Sequence, residues 1–285
     1  MSEIRKVGVI GAGTMGNGIA QACATVGLEA VMVDVTDAAV QRGLSAIQVS
    51  LDRLLKKEKI APADKAAALK RINGTTDYDA LRDCDLIIEA ATESEEVKQR
   101  ILGKVDELAR PGVIIASNTS SISITKLAAA TFRPGNFIGM HFFNPVPVMA
   151  LVELTRGLLT DDATVDTAQA LVKKLGKTAI VAKNSPGFIV NRILCPMVNE
   201  AVFALQEGLA PAADIDEAVK LGCGYPIGPL ALADLIGLDV MLAVMEVFYR
   251  DFNDPKYRPA LLLKEMVAAG QLGRKTGRGF FTYSA

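Results

Sequence analysis

The sequence predicts an α/β domain built on a parallel sheet, followed by an all-α domain, with the boundary between residues 184 and 185. Three observations carry this prediction. A glycine-rich turn joins a short β-branched run to a helical pattern near the start of the chain. Short apolar runs then alternate with helical patterns up to residue 184, which is typical of parallel strands joined by crossover helices. From residue 185 onward, the apolar residues follow a helical period almost to the end.

Length and composition set the limits for this fold. A chain of 285 residues is long enough for one large domain or two ordinary ones. Aromatic residues make up only 5% and tryptophan is absent, so aliphatic side chains must form the core. The net charge of −1 excludes the strong basic field that nucleic-acid binding requires.

The cysteines and the first residues indicate a reducing location away from membranes. The four cysteines form no C-x-x-C pair, so we expect neither a metal site nor a disulfide framework. The chain starts "MSEIRKVGVIG", in which charges precede a strand and no secretory apolar segment occurs. No apolar run has the length that a membrane span needs. We therefore expect a cytoplasmic protein.

The first 35 residues predict a strand, a tight turn, a helix and a second strand. Lys6 to Ile10 is the first strand, Glu29 to Val33 is the second, and the helix between them stops near Gly27. The turn carries the pattern G-x-G-x-x-G, formed by Gly11, Gly13 and Gly16. Without β-carbons, the turn lets a pyrophosphate approach the backbone and rest on the N–H groups of a helix N-terminus.

Asp34 at the end of the second strand completes the pattern of a Rossmann-type dinucleotide-binding domain. It stands 18 positions after Gly16 (34 minus 16), where an acid that binds the adenosine ribose belongs. Its charge repels a 2′-phosphate, and Val35 and Thr36 supply no arginine, so NAD is favoured over NADP. The alternative is that the glycines only make a tight turn and that Asp34 is a cap.

Two helices are predicted after this strand, and the first carries a cationic stripe. The first starts at Asp37, and the second covers Ala63 to Arg71 and closes at Asn73-Gly74. A hydroxyl and two cations share the i, i+3, i+7 stripe of the first helix: Ser50, Arg53 and Lys57. This stripe either holds an anionic group such as a nucleotide phosphate or is an ordinary solvated helix face.

Polar side chains end the next two strands. The apolar runs 86–93 and 113–121 flank a helical pattern and finish near Glu93 and Ser120, respectively. Ligands of such sheets bind outside the carboxyl ends of the strands, which makes both residues candidates for a site. Ser120 has an equally plain alternative, since it could cap the helix that starts near Ile122.

The stretch "GMHFFNPVPVMALVEL" contains His141, the single histidine of the chain, and Glu153. If the strands at 137–143 and 149–155 form a simple hairpin centred near Pro147, these two residues lie opposite each other on one face. A buried histidine is usually structural. A histidine whose tautomer is fixed by a carboxylate, at the strand ends of a dinucleotide fold, has instead the geometry of a general base.

The second domain starts with a predicted helix, for which Ser185 is a suitable N-cap and Pro186 a suitable first residue. Asn191 shares a stripe of this helix with apolar residues, so its amide must bond either neighbouring backbone or a substrate. The stretch 225–252 is apolar on most sides, which is typical of helices buried both in a domain and in a subunit interface. We therefore expect a homodimer.

These motifs resemble those of the (S)-3-hydroxyacyl-CoA dehydrogenase family, most of all its bacterial 3-hydroxybutyryl-CoA dehydrogenases. The resemblance runs from end to end and rests on five stretches: "GVIGAGTMGNGIAQ", "ASNTSSISI", "GMHFFNPVPVMALVEL", "KNSPGFIVNRIL" and "GRKTGRGF". It implies the oxidation of 3-hydroxybutyryl-CoA to acetoacetyl-CoA, or the reverse reduction, with NAD.

The resemblance also implies roles for individual residues. His141 would take the proton of the substrate's 3-hydroxyl, and Glu153 would orient His141 and stabilise its cation. Two residues would bond the substrate oxygens: Ser120 and Asn191. The glycine loop with the Thr14 and Met15 backbone would hold the pyrophosphate, and Asp34 the ribose. Further residues would line the NAD site: Glu93, Lys98, Asn144 and Lys275. The stripe Ser50, Arg53 and Lys57 would contact coenzyme A.

Two other functions fit parts of the sequence. β-Hydroxyacid dehydrogenases, which act on free acids, share a similar first domain but use a lysine in the pattern G-x-x-G-x-G-x-x-x-K. This chain has "KNSPGFIVNR" at the corresponding boundary. A non-enzymatic, crystallin-like NAD-binding protein would have no need for the complete set of Ser120, His141, Glu153 and Asn191.

Overall fold

The computed structural model describes residues 3–283, and the chain divides into two compact units, Met1–Ser185 and Pro186–Ala285. The predicted boundary lies one residue earlier. We call the first the sheet unit and the second the helical unit. An α/β unit of the Rossmann type followed by an all-α unit is the predicted fold class, which is thereby confirmed.

One eight-stranded sheet, in the order β3-β2-β1-β4-β5-β6-β7-β8, forms the centre of the sheet unit. Strands β1 to β6 are parallel, β7 is antiparallel to β6, and β8 is parallel to β7. The strands are β1 (Lys6–Ile10), β2 (Glu29–Val33), β3 (Ile72–Thr75), β4 (Leu86–Glu89), β5 (Ile114–Ser117), β6 (Phe137–Phe142), β7 (Leu151–Arg156) and β8 (Thr178–Lys183).

The central strands are buried on both faces. Every residue of β4, β5 and β6 is buried, and successive side chains of a strand point to opposite faces. Parallel strands covered by crossover helices have this continuous apolar character. Because β1, β4, β5 and β6 run in the same direction, their carboxyl ends form one edge, which we call the carboxyl edge of the sheet.

Among the described residues of the sheet unit, six α-helices lie in the connections between the strands and cover the sheet. They are α1 (Thr14–Thr25), α2 (Asp37–Lys56), α3 (Pro62–Lys70), α4 (Glu95–Leu108), α5 (Ile124–Ala128) and α6 (Asp162–Lys174). Apolar side chains such as Ile19 of α1, together with Ile47 and Leu51 of α2, are fully buried in the core beside the strands. The hydroxyl of Thr36 caps α2 by accepting the N–H of Ala39 at 3.1 Å.

The helix predicted over 63–71 is α3, but its predicted close at Asn73-Gly74 is wrong, because α3 ends at Lys70 and both residues lie in the edge strand β3. A β-carbon at Gly74 would lie 2.7 Å from Cγ1 of Val40 and 3.1 Å from Cδ1 of Leu44, both on α2. The glycine therefore allows a close approach of helix and strand, and this packing prevails over the turn preference of the Asn-Gly pair.

The predicted helix start at Ser185 and Pro186 is also wrong. Helix α7 starts at Val190, four residues after the proline. Gly187 and Phe188 have φ values of +73° and +50°, which lie in the left-handed region and cannot continue a helix.

Among its described residues, the helical unit contains α7 (Val190–Gln206), α8 (Ala212–Cys223), α9 (Pro229–Ile236), α10 (Leu238–Phe252) and α11 (Leu261–Ala268). Buried polar side chains join these helices. The carboxylate of Asp216 accepts the N–H groups of Leu230 and Ala231, each at 2.8 Å, and so caps the start of α9. The amide of Asn199 bonds the backbone of Arg258 and Ala260, and this satisfies a polar group inside the core.

The four cysteines are free thiols, and three of them are buried. Between residues 3 and 283, no helix combines the length and the apolar character that crossing a membrane requires. Within that same range, no cluster of three or more His, Cys, Asp or Glu residues is placed to hold a metal ion.

Candidate active site

The glycine loop between β1 and α1 has the backbone of a phosphate-binding turn. Gly11 has a φ of +100°, and its N–H bonds Val33 O at 2.7 Å. A β-carbon at Gly16 would collide with the carbonyl oxygen of Gly11. At Gly13, by contrast, no non-neighbouring atom of the described residues lies within 4 Å of the place a β-carbon would take. Backbone conformation therefore explains Gly11, and packing explains Gly16. The open space at Gly13 suits a ligand that approaches the backbone.

The start of α1 faces this space without a side-chain cap. The helix begins at Thr14, its N-cap is Gly13, and its first turn contains no acidic residue. Thr14 is exposed and Met15 half-buried. The positive end of a helix that lacks a capping side chain attracts an anion such as a pyrophosphate. The residues of the loop therefore fit the phosphates of a dinucleotide.

Asp34 joins the glycine loop to the end of β2. Its Oδ2 accepts the N–H of Ala12 and its Oδ1 accepts the N–H of Val35, both at 2.7 Å. Each carboxylate oxygen can accept a second hydrogen bond, so ribose hydroxyls can still bind. The side chain of Val35 is 79% exposed and offers no positive charge for a 2′-phosphate.

The carboxylate of Glu93 accepts hydrogen bonds from the hydroxyl groups that follow β5. Its Oε1 accepts the Thr119 hydroxyl at 2.6 Å, the Ser120 N–H at 2.8 Å and the Ser120 hydroxyl at 3.0 Å. Ser121 adds a fourth contact at 3.2 Å. The N-cap of α5 is Ser123, whose hydroxyl accepts the N–H of Lys126. Ser120 is therefore not a cap but a half-buried hydroxyl at the carboxyl edge.

A buried ion pair lies beside this cluster. Nζ of Lys98 is 2.6 Å from Oε2 of Glu89, and the two side chains are 1% and 0% exposed. The Ser117 hydroxyl donates to the same oxygen at 2.8 Å, and the ammonium is 3.8 Å from Oε2 of Glu93. Lys98 thus lies inside the sheet unit, bonded to one carboxylate and near a second one. A buried ion pair that loses one partner leaves the other charge unpaired, at a cost of about 3–5 kcal/mol.

His141 and Glu153 face each other across the β6–β7 hairpin. The register pairs His141 with Glu153, as the sequence predicted. Nδ1 of the imidazole lies 2.8 Å from Oε2 of the carboxylate, and the side chains are 8% and 1% exposed. Because an ionised carboxylate only accepts hydrogen bonds, it favours the tautomer in which Nδ1 carries the proton. The Phe143 ring lies beside the imidazole with a centroid distance of 4.4 Å.

Two asparagines lie near this hairpin. Oδ1 of Asn118 accepts the N–H of Phe142 at 2.8 Å, and this bond fixes the end of β5 to the end of β6. Asn144 is exposed, two residues beyond the end of β6. The sheet unit therefore brings five predicted residues or groups to its carboxyl edge: the glycine loop, Asp34, the Glu93–Ser120 pair, the His141–Glu153 pair and Asn144.

The predicted coenzyme A stripe lies on α2 and the residue that follows it. Ser50 is half-buried, whereas Arg53 and Lys57 are exposed. The cations therefore remain accessible to an anionic ligand from solvent.

The helical unit carries the last two predicted residues. Asn191 is half-buried, one residue after the start of α7, on the stripe of the buried Cys195, Val198 and Val202. Nζ of Lys275 bonds both carboxylate oxygens of Asp239, at 2.5 and 2.7 Å. Partial burial acts to raise the pKa of the Asp239 carboxyl. The hydrogen bonds from Lys275 and from backbone N–H groups act in the other direction, and the net result is a lowered pKa.

Three further residues build the carboxyl edge: Glu89, Ser117 and Asn118. The sequence placed the cluster 117–121 at the strand end without a role for Ser117 or Asn118, and it did not single out Glu89. Each lies within a stretch that was already noted for its polar ends, and an isolated carboxylate in the apolar run "LIIEAA" is itself unusual. The helical period at 94–109 does not show that Lys98 meets this carboxylate, because a lysine on a helix rich in glutamates is expected to be solvated.

Comparisons with family models and with curated proteins show what the chain is similar to. Residues 6–185 match the model of the 3-hydroxyacyl-CoA dehydrogenase NAD binding domain, and residues 187–283 match the model of that enzyme's C-terminal domain. A 3-hydroxybutyryl-CoA dehydrogenase of Bradyrhizobium diazoefficiens is 52% identical over 280 residues, which are 98% of this chain and 96% of that protein. A protein of the same description from Clostridioides difficile is 49% identical over 279 residues, 98% of this chain and 99% of its own length.

A solved structure shows the same similarity in three dimensions. The crystal structure of (S)-3-hydroxybutyryl-CoA dehydrogenase PaaH1 from Ralstonia eutropha superposes with a TM-score of 0.97 at 67% sequence identity. The match covers 99% of this chain and 100% of that one.

Proposed function

Since the chain belongs to the 3-hydroxyacyl-CoA dehydrogenase family and is an NAD-dependent oxidoreductase, we propose that it interconverts (S)-3-hydroxybutyryl-CoA and acetoacetyl-CoA. The observation that carries this proposal is the His141–Glu153 pair at the carboxyl edge, 2.8 Å apart and almost fully buried. The relatives named above support the substrate, because they act on it according to their descriptions.

His141 acts as the general base in the oxidation. With Nδ1 held by the carboxylate, Nε2 takes the proton from the 3-hydroxyl. Glu153 stabilises the imidazolium that forms, and its burial strengthens this attraction by keeping water away. In the reduction, the same imidazolium returns the proton to the oxygen. The chemistry that bound NAD supplies is the acceptance of a hydride from C3.

Ser120 positions the substrate oxygen. Its hydroxyl donates to Glu93 in the free protein, and on substrate binding the hydroxyl would rotate to donate to the substrate oxygen, whose own proton is directed at His141. The ammonium of Lys98 pairs with Glu89 and also lies near the Glu93 carboxylate, so it attracts Glu93 and helps to hold it in place. Asn191 of the helical unit is proposed as a second hydrogen-bond partner of the substrate.

The cofactor is held by the glycine loop, the uncapped start of α1 and Asp34. The N–H groups of the loop and of Thr14 and Met15 would bind the pyrophosphate, and Asp34 the ribose hydroxyls. We propose that Asn144 and Lys275 contact the remainder of the cofactor, and that Glu93 and Lys98 line its site.

The stripe on α2 would bind coenzyme A. Arg53 and Lys57 are exposed cations on neighbouring turns of one helix face, with Ser50 next to them. Phosphate groups favour such sites, because a guanidinium and an ammonium supply several hydrogen-bond donors. Their role is binding, not chemistry, so we expect them to affect KM more than kcat.

We further propose that the protein is a homodimer, whose interface uses the helical unit. Exposed apolar side chains occur on α9 and α10, among them Leu235 at 54%, Val240 at 46% and Tyr249 at 48%. Large exposed apolar residues on adjacent helices are typical of a subunit interface. A monomeric mass in light scattering at micromolar concentration would contradict this proposal. The cytoplasmic location stays a prediction from the sequence.

The experiment that tests the function is oxidation of NADH by acetoacetyl-CoA, run in parallel with NADPH and with free acetoacetate. We expect turnover with NADH and the CoA ester and little with the free acid or with NADPH. Equal rates with the free acid would refute the coenzyme A assignment and favour a free-acid dehydrogenase. Absence of turnover with every substrate, together with intact NADH binding, would favour a non-enzymatic NAD-binding protein.

His141→Gln tests the base directly, because Gln keeps a hydrogen-bonding side chain but cannot carry the proton. General acid–base catalysis contributes about 10²- to 10⁴-fold to enzymatic rates, and we expect a loss of this order in kcat. A variant with the wild-type kcat would exclude His141 as the base.

A further inference from the structure

The loop that joins β6 to β7 depends on few contacts of its own. The pairing of the two strands ends at Phe142 and Val152. Beyond these residues, the backbone bonds within the loop converge on Pro145 O, which accepts the N–H groups of Val148 at 2.9 Å and Met149 at 3.0 Å. The imidazole of His141 lies one residue before the point at which this pairing stops.

Lys177 holds this loop from outside the hairpin. It lies between α6 and β8, and its Nζ donates to Val146 O at 2.6 Å and to Met149 O at 2.7 Å. Val146 lies within the turn that the bond from Val148 N to Pro145 O closes, and Met149 follows that turn directly. A single ammonium therefore joins the turn to the residue after it. Burial lowers the pKa of Lys177 because the partly desolvated ammonium loses hydration, which the two carbonyls replace. The neighbouring N–H of Thr178 adds a backbone bond to Ala150 O at 2.7 Å.

The same loop packs against the helix that starts at the glycine loop. Val146 is 1% exposed, and a β-carbon at Gly18 of α1 would lie 2.8 Å from Cβ of Val146. Pro147 is the next nearest neighbour of that position, at 3.7 Å. Val146 therefore packs directly on the backbone of α1 at Gly18, and the ammonium of Lys177 holds the carbonyl of the same residue.

We propose that Lys177 is a positioning residue, whose ammonium holds the loop 143–150 against α1 and so fixes His141 relative to the glycine loop. This inference rests on the proposed function, because it assigns Lys177 to the alignment of the base with the reacting carbon. Alignment matters at this scale, since a displacement of about 1 Å can reduce a rate by about 10²-fold.

The test compares three variants. Lys177→Met removes the hydrogen-bond donors and keeps most of the side-chain length, whereas Lys177→Arg keeps donors. Lys174→Met is the control. Lys174 lies on α6, and its ammonium pairs with Glu3 at 3.1 Å rather than with the hairpin. For Lys177→Met we expect kcat of acetoacetyl-CoA reduction to fall by roughly 10- to 100-fold. We expect the Kd of NADH to change much less than kcat, because the glycine loop and Asp34 are untouched and only Asn144, the proposed cofactor contact within the loop, can shift. We expect Lys177→Arg to recover most of the loss.

The single histidine provides a measurement that does not depend on turnover. In an untagged protein labelled at histidine, all imidazole resonances belong to His141. We expect Lys177→Met to shift these resonances in the free protein, and Lys174→Met to leave them unchanged. If the wild-type protein lacks turnover but the resonances shift as expected, the proposed function fails and the positioning role stands.

Three results would overturn the inference. One is a Lys177→Met variant with wild-type kcat and unshifted imidazole resonances. Another is a Lys177→Met variant in which kcat, NADH affinity and melting temperature all fall while the imidazole resonances stay unshifted. That outcome indicates a purely structural role. If Lys177→Met does not fold, Gly18→Ala replaces it, because the added β-carbon would displace Val146 and with it the loop that Lys177 holds. Unchanged kcat and resonances in that variant would also refute the proposal.

Discussion

Replacing Glu153 with glutamine separates the charge of this residue from its shape. Glu153→Gln keeps the side-chain length and an oxygen that can accept the Nδ1 proton of His141, but it removes the negative charge. Both side chains are nearly inaccessible, at 8% for His141 and 1% for Glu153, so solvent screens their attraction little. The variant therefore measures what the charge contributes to forming the imidazolium.

The size of the effect follows from the geometry of the pair. With a contact of 2.8 Å between Nδ1 and Oε2, the centres of charge lie roughly 4 Å apart. At that distance and an effective dielectric constant near 20, two unit charges attract by about 4 kcal/mol. If the imidazole carries about half its charge in the transition state, the loss is about 2 kcal/mol. This corresponds to a rate lower by roughly 30-fold, with a limit near 10³-fold for complete proton transfer.

The assay is the initial rate of (S)-3-hydroxybutyryl-CoA oxidation by NAD, the direction in which the imidazolium forms, with NADH affinity measured separately. Glu96→Gln is the matched control, because Glu96 is an exposed residue of α4 whose side chain is 85% accessible. We expect kcat to fall at least 30-fold in Glu153→Gln, with NADH affinity unchanged and no effect in the control. A kcat within threefold of wild type would show that Glu153 acts as a spacer and that its charge does not assist catalysis.

Four further predictions concern the cofactor, the coenzyme A stripe, the buried ion pair and the thiols. Asp34→Ala should weaken NADH binding about tenfold and reduce discrimination against NADPH, by loss of a charged hydrogen-bond acceptor; unchanged Kd values for both would contradict it. Arg53→Ala combined with Lys57→Ala should raise KM for acetoacetyl-CoA without changing kcat, whereas an unchanged KM in steady-state assays would remove the stripe from the substrate site. Lys98→Met should lower the free energy of unfolding by about 3–5 kcal/mol in urea titrations, because its glutamate partner stays buried and unpaired; a loss below about 1 kcal/mol would refute this. Burial raises the pKa of the other three cysteines to about 11 or about 12, so at pH 8 only the exposed Cys223 should react rapidly with a disulfide reagent, and a second fast thiol would contradict the burial.

The sequence predicted the hairpin geometry because two constraints act together in a short segment. Side chains alternate along a strand, and a short connection limits the possible registers. Residues 141 and 153 are equally distant from the centre of the turn, and they are partners in the structure. The glycine loop was predictable for a similar reason, since its function requires particular residues at fixed positions next to a strand and a helix.

The helix boundaries show where local sequence is insufficient. Ser185-Pro186 has the chemistry of a helix start, but the left-handed conformations at Gly187 and Phe188 delay α7 until Val190. Asn73-Gly74 has the chemistry of a turn, but it forms a strand because α2 packs closely on Gly74. In both cases tertiary packing prevails over a local preference that is worth about 1 kcal/mol or less.

The buried charges of the sheet unit were the least predictable part of the site. A lysine on a helix with exposed glutamates is expected to be solvated, yet Lys98 is enclosed with Glu89. Such a pair gives little net stability, because the loss of hydration offsets much of the attraction. Its position suggests another reason for its presence: it connects β4, α4 and, through Glu93, the segment after β5 that contains Ser120.

The single histidine of the chain thus occupies a place where three separate supports meet. Glu153 sets its tautomer, Asn118 fixes the end of its strand to β5, and Lys177 holds the loop beyond it. A structural histidine needs only a hydrogen-bonding partner, and Glu153 is such a partner. Supports for the strand and the loop as well hold the imidazole in one position, which a base that must meet a substrate oxygen requires. The distribution of these contacts therefore favours catalysis over a role in folding.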